Sequence, residues 1–545
     1  QAFAMGITSV CECLTSKELP LKLQAVKAMS EVVKNENVVT HIKPHLANVL
    51  NEYFKLIDEV SNEEIVITLE QLICYVKEDV GPFAVSIAQR MASLFINIVS
   101  NTNPEDDESA FTALQCLRVM NTLLHVLASL RDNKQVYAGL QKVYQPVIVK
   151  CLCEDGIEFL EDTLDLIGGL VKFSSEMSPF LWSLLPRVVQ SCREYAIDHV
   201  QNVVVALGRY IAYAPRGMSQ NPQAVKQILE LIAWVFYPSG KGADQPGMDE
   251  VDMLIPCQYM CKMATMLLIH QRTNLDPLIP DILKLLFKKL NRVMILQQEL
   301  KKQGDEESKY YIQRAVVLRT ILVETICTAL YYNPAIFLQV CSQMKCTKEI
   351  FRVIVDSSKD LKEDPSALGI SILGLSSLAL LPPNAIPPEL VGQDKLMLHL
   401  LNTGVGQLAE LKGLEEKKED AETDEEEDSE AEYQEFAYVD NNEDAIGEED
   451  LEHIKDLATK IRDVIHDDDM HGALGDEFLL EFFTPTNETD KFEFFTFCID
   501  RMAQVNEAAY KEWVSVLSQQ QKQVVQALVN IGKQRSKDKA AAKTE

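Results

Sequence analysis

The residues best placed to do chemistry in this 545-residue chain are carboxylates in one run: Glu425, Glu426, Glu427, Asp428, Glu430 and Glu432. The stretch around them, Lys412 to Asp450, holds 19 acidic and 3 basic side chains, a net −16 out of the chain's formal −30. One sign of charge gathered this densely attracts Lys/Arg-rich surfaces over roughly a Debye length, and salt weakens the attraction. The chemistry on offer is recognition of a basic partner. A solubilising insertion without a partner is the alternative, but solubility alone does not require half the net charge in one tract. The same sign disfavours nucleic acid and anionic lipid.

Other reactive residues lack the spacing their chemistry needs. Cys11-x-Cys13 and Cys151-x-Cys153 have neither the two-residue spacer nor the second pair of a zinc site. His41 and His45 lie four apart with Pro44 between them and no evident third ligand. His466 to His471 encloses three aspartates and reads as a surface loop before it reads as a metal site. There is no nucleophile elbow, P-loop, dinucleotide turn or His–Glu zinc helix, and Gly168-Gly169 falls inside a helical pattern. The expectation is a protein that is not an enzyme and holds no cofactor or metal. Most of the 13 cysteines sit in apolar runs, such as Gln115-Cys116-Leu117, as reduced core thiols do.

The elements that carry these residues read as helices. Ile65, Leu69, Leu72, Ile73 and Val76 step by three and four along one face of Glu63–Glu78. The same period runs through Leu21–Val33, Ala110–Leu130, Ile157–Phe173, His199–Tyr213, Cys257–His270, Ala315–Tyr332 and Ala367–Leu380. No stretch reads as a strand, and none approaches eighteen uncharged apolar residues, so no membrane insertion is expected. A second series of helices is expected to open at prolines 44, 82, 146, 186, 280 and 334, since the first helical turn tolerates proline. Pro44 and Pro82 are 38 apart, and Pro146 and Pro186 are 40 apart. Two-helix units of that length are of the HEAT type.

The sequence therefore predicts an all-α superhelical solenoid of HEAT-type antiparallel helix pairs with a long acidic insertion. Residues 1–411 form the repeat array and 412–450 a solvated, disordered acidic loop. Residues 451–532 form C-terminal helical repeats and 533–545 a frayed tail. Ser239–Asp252 is a further loop. Trp182, beside Phe180 and Leu181, is expected in the inter-repeat core rather than as an exposed anchor, and Tyr331 and Tyr332 are expected to pack between repeats. The first residues already look helical and lack an initiator Met, so a missing N-terminal part is expected.

Several strings, in order, resemble the importin seven and eight branch of the importin-beta (karyopherin-beta) family. They are Glu154–Phe159, Met177–Pro186 with its SP–W–LLP pattern, Ala329-Leu330-Tyr331-Tyr332-Asn333-Pro334, the Leu373-Gly374-Leu375 helix, the acidic tract, and Phe494–Gln526 with Asn506, Tyr510 and Trp513. The resemblance covers residues from about 150 to 530. It implies a nuclear transport receptor that shuttles between nucleus and cytoplasm and carries protein cargo on its solenoid. It also implies contact with Phe-Gly nucleoporins at the pore and cargo release by the GTPase Ran. The family's main Ran site is in N-terminal repeats, so the expectation is that it precedes this chain. An exportin-type receptor, or a non-transport scaffold or adaptor, stays open as an alternative.

Overall fold

A helix begins at Glu63 because the Asn62 side chain accepts from the Glu64 N–H at 2.9 Å. It ends at Val76, where Lys77 turns to φ +52. Between these stops Ile65, Leu69, Leu72, Ile73 and Val76 are all buried, so the period in the sequence is the face turned inward. The same capping recurs along the chain. Asn133, Ser178, Asp305, Asn333, Asp364, Asp490 and Asn506 each accept from a backbone N–H of the helix they precede.

The computed structural model describes residues 9–542 apart from 61, 102–106, 128–132, 239–249, 273, 358–360, 362–363, 392–394, 433–481 and 483. The described residues form helices and turns with no strand, in two compact units divided at Leu231 and Ile232. In the first unit, helices Glu63–Val76, Asp107–Val126, Leu160–Phe173 and Val200–Tyr213 pack in a row, each against the next. Helices Leu46–Glu59, Ala84–Asn101, Lys134–Cys151 and Pro179–Glu194 alternate with them as second members of pairs. Gly169 lets one contact in the row close tightly, because a Cβ there would stand 2.9 Å from Leu124 Cδ1. Single helices cannot bury such stripes alone, and stacked pairs can.

The second unit repeats the scheme. Helices Leu254–His270, Glu306–Tyr332, Pro365–Ser377 and Lys491–Val505 pack in succession, and Leu396–Glu432 and Gln519–Ala542 cover the last two. Gly374 is placed where the Pro365–Ser377 helix meets the Cys327 backbone, and a Cβ there would lie 2.6 Å from the Cys327 carbonyl oxygen. Asn333 alone separates two helices, ending one at φ −155 and capping the next through the Ile336 N–H at 3.2 Å. Asn333→Ala should cost about 1 kcal/mol. Hydrogen exchange of the Phe337–Cys341 amides checks this, and unchanged protection would show that packing, not the cap, starts that helix.

Some expectations change. Pro44, Pro82, Pro280 and Pro334 lie at or just before helix starts, but Pro146 and Pro186 lie inside the Lys134–Cys151 and Pro179–Glu194 helices. There the starts are fixed upstream by Asn133 and by Ser178 with Pro179. Each interior ring removes one ladder hydrogen bond that the packing of buried Val147, Ile148, Val188 and Val189 offsets. Two stretches that carry charged residues, Asp79–Asn101 and Glu307–Tyr332, are nonetheless long and apolar enough to cross a membrane by length and composition alone. The second is mostly buried against neighbouring helices and is a core helix here.

Helix also replaces loop in two places. The acidic stretch continues the Leu396 helix as far as Glu432 instead of leaving it at Lys412. Its remainder to Asp450, the helical pattern at Leu451–His466 and the His466–His471 segment lie outside the described residues. The Lys/Ala-rich end is helical through Ala542.

Candidate partner-binding surface

The acidic run is positioned by the apolar half of its own helix. Leu400, Leu401, Val405, Leu408 and Leu411 are buried at helical spacing against the Pro365–Ser377 helix, and Gly404 lies 3.7 Å from Leu375 Cβ, measured from an ideal Cβ. The apolar stripe stops after Leu411. Lys412 and Glu416 then pair at 3.1 Å across one turn, and the helical backbone continues through Glu425, Glu426, Glu427, Asp428 and Glu430 to Glu432. All six residues singled out from the sequence are thus within eight consecutive residues of one helix.

The root of this helix is clamped by a residue that sequence reasoning assigned to a frayed tail. Arg535 donates to Glu415 Oε2 at 2.7 Å and to Asp490 Oδ2 at 2.9 Å, and its guanidinium lies 4.3 Å from the centre of the Phe492 ring. Asp490 serves twice, since its other oxygen caps the Lys491 helix through the Glu493 N–H at 2.8 Å. One turn on, Lys539 stands 3.8 Å from Glu493. Gly532 allows the close approach, because any Cβ there would run into the Phe492 carbonyl and Thr496 Oγ1. The spacing of Arg535 and Lys539, four apart on one helix face, was the available signal. Arg535→Ala should lose both ion pairs. With the guanidinium more than a third exposed, the cost is about 1 kcal/mol or less. The check is faster exchange at the Leu411–Glu416 amides and at 533–542 together; a change at one end alone would separate the clamp from the acidic helix.

An aromatic cluster joins the Glu306–Tyr332 and Lys491–Val505 helices. Arg272 stacks 4.4 Å from the Tyr331 ring centre and donates to the Tyr331 carbonyl at 3.3 Å, while Tyr331 meets Phe494 edge-on at 5.4 Å. Tyr332 is buried, donates to Asp276 Oδ1 at 2.7 Å and accepts from the Leu275 N–H at 3.1 Å. His270 Nε2 sits 2.6 Å from the Phe482 carbonyl, and burial holds its pKa below the ordinary histidine value. Trp513 is buried and donates to Asn402 Oδ1 at 2.9 Å, which ties the Glu507–Val516 helix to the helix that becomes acidic.

The remaining sequence candidates belong to the first unit. Trp182 is half-buried, 5.9 Å from the Tyr210 ring and against Gly217. Burial raises the Cys151 thiol to about 12, which makes it a poor ligand or nucleophile at neutral pH. His41 and His45 are exposed. Among the described residues no group of three or more His, Cys, Asp and Glu side chains converges as a metal site would.

No family model matches the chain. It is 25% identical over 425 residues to an importin beta-like SAD2 homolog of Arabidopsis thaliana, covering 75% of this chain and 38% of that protein. It is 24% identical over 383 residues to a probable importin-7 homolog of Dictyostelium discoideum, covering 70% and 33%. Against importin-8 of Danio rerio it is 24% identical over 546 residues, covering 95% and 49%. The chain therefore spans half or less of the length of these relatives. Among solved structures, Lph2, a bidirectional nuclear transport receptor of S. cerevisiae, matches with a TM-score of 0.56 and 14% identity, over 97% of this chain and 50% of that one. The likeness in sequence, which reaches 95% of the chain against importin-8, and the helical-repeat fold shared with Lph2 agree with the ordered strings from Glu154 to Trp513: the chain is similar to importin-7- and importin-8-type proteins.

Proposed function

We propose that the chain is a working part of a nuclear transport receptor that binds protein cargo on its helical repeats and carries it through the nuclear pore. The observation that carries this reading is the match of 95% of the chain to importin-8. The acidic helix is read as the cargo-facing element for Lys/Arg-rich proteins. Like charges three and four apart on one helix repel, so a basic partner there relieves repulsion and supports the helix at once. No catalytic step is assigned.

Passage requires contact with Phe-Gly nucleoporins, and release requires Ran-GTP. Ran can displace cargo only through a difference in its affinity for two conformations, and flexing of stacked repeats supplies two such states. The test is import of a fluorescent Lys/Arg-rich cargo into nuclei of permeabilised cells with and without the purified chain. Accumulation that depends on the chain supports the reading; capture without accumulation would restrict the chain to a cargo-binding role. The bidirectional character of the yeast receptor Lph2 favours one second reading, export of a different cargo by the same solenoid.

A further inference from the structure

Between the Pro334–Met344 and Thr347–Ser357 helices the chain turns through Lys345, whose φ is +55. Lys345 N–H donates to the Ser342 carbonyl at 3.1 Å, and Cys346 N–H donates to the Cys341 carbonyl at 3.0 Å. This pair of bonds is the Schellman closure, which brings a side chain near the helix end against the one that follows the left-handed residue. The contact is usually apolar. Here both positions are cysteines, and both are free thiols.

The geometry suits a covalent bond. With backbone dimensions fixed, a 3.0 Å hydrogen bond from Cys346 N to Cys341 O keeps the two Cα atoms within about 7 Å, close to the span a disulfide bridges. The Cys346 thiol also donates to the Cys341 carbonyl at 3.8 Å, so it lies over the helix end and not out in solvent. The two sulfurs have unequal access: Cys341 is fully buried, and Cys346 is partly exposed. Cys346 also heads the next helix, its carbonyl accepting from the Ile350 N–H at 3.0 Å, which sets its sulfur at the positive end of that helix dipole. A hydrogen bond from Cys341 holds the Cys346 thiol below the ordinary value, with burial and Glu349 opposing, while Cys341 is raised.

We propose that Cys341 and Cys346 are a peroxide-responsive dithiol, with Cys346 as the attacking sulfur and Cys341 as the resolving one. The Cys346 thiolate attacks one oxygen of hydrogen peroxide; the O–O bond breaks, the departing hydroxide takes a proton, and Cys346 becomes a sulfenic acid. The Cys341 sulfur then attacks the Cys346 sulfur and the S–O bond breaks. The hydroxide takes the Cys341 proton and leaves as water. Two thiols and one peroxide give one disulfide and two waters, the sulfurs losing the two electrons the peroxide gains. A dithiol reductant reverses the step by exchange. Closing the bond would fix the turn between two helices of the repeat array.

The test uses the full chain, stoichiometric hydrogen peroxide, alkylation of remaining thiols, and trypsin without reductant. Trypsin cuts after Lys345, so the bridge is expected to join the Thr320–Lys345 peptide to Cys346–Lys348, with fragmentation placing it at Cys341 and not Cys327. Cys346→Ser should abolish it. Cys341→Ser should leave a sulfenic acid on Cys346 that a cyclic diketone traps. Oxidation of Cys346 should outpace that of Cys11, Cys13 and Cys153, which are also partly exposed. The proposal is overturned if Cys346 stays alkylatable, pairs with another cysteine, or reacts no faster than those three. It does not depend on the transport reading, because neither cargo nor Ran enters the assay.

Discussion

Substituting Lys262 by alanine should destabilise the second unit by about 3–5 kcal/mol at neutral pH. Lys262 donates to Glu324 Oε2 at 2.9 Å, and the Glu324 side chain is only 2% exposed in the middle of the Glu306–Tyr332 helix. Its other oxygen, Oε1, is buried without a hydrogen-bond partner, so the carboxylate leans on Lys262. Burial raises the Glu324 pKa and Lys262 partly offsets the rise. An acid whose folded pKa lies above its unfolded value favours the fold below that unfolded value, about 4.3, and stability falls as pH rises through the folded pKa. Removing Lys262 pushes the folded pKa higher and extends that loss toward neutral pH. The deficit of Lys262→Ala against the parent should therefore be small near pH 5 and largest at pH 7–8. Pairing it with Glu324→Leu should recover most of the loss, because an apolar side chain needs no counter-charge. Native-state hydrogen exchange at Ile321–Ala329 reads the effect in the helix concerned. A deficit independent of pH would mean that Lys262 acts by packing its methylene stem and not by charge.

Much of the scaffold was legible because it is local. The stripe Ile65 to Val76 repeats at the helical period whatever lies beyond it, and Asn333-Pro334 is a cap followed by a first-turn proline in any context. Pro146 and Pro186 misled for the same reason: a proline signals a start only when nothing upstream has begun the helix, and Asn133 and Ser178 had. The acidic stretch misled in the opposite direction. Composition argued for a solvated loop from Lys412, but the buried stripe Leu400–Leu411 had already set a helix that the charged residues extend to Glu432. Pairs far apart in sequence left no trace. Lys262 and Glu324 are 62 residues apart and Arg535 and Glu415 are 120 apart, and no local pattern marks a partner at those distances. Cys341 and Cys346, five apart, share no helix face; only the left-handed turn at Lys345 brings them together.

Converting Glu425, Glu426, Glu427, Glu430 and Glu432 to glutamine and Asp428 to asparagine should slow association with a Lys/Arg-rich probe about tenfold at low ionic strength. The change removes six charges from one helical stretch and nearly conserves shape. Glutamine is as good a helix former as glutamate, and removing like charges three and four apart relieves repulsion, so the helix itself should gain. Circular dichroism of the variant should therefore be unchanged or slightly more helical, which separates lost attraction from lost structure. Salt gives the second axis. The Debye length falls from about 10 Å at 0.1 M to about 3 Å at 1 M, so the difference between parent and variant should shrink below about twofold at the higher concentration. A probe of the same size with its lysines acetylated should bind both proteins alike. Equal association at low salt would remove the acidic helix from cargo capture. Faster or tighter binding by the variant would show instead that these carboxylates cover the chain's own cargo site, and that cargo must displace them.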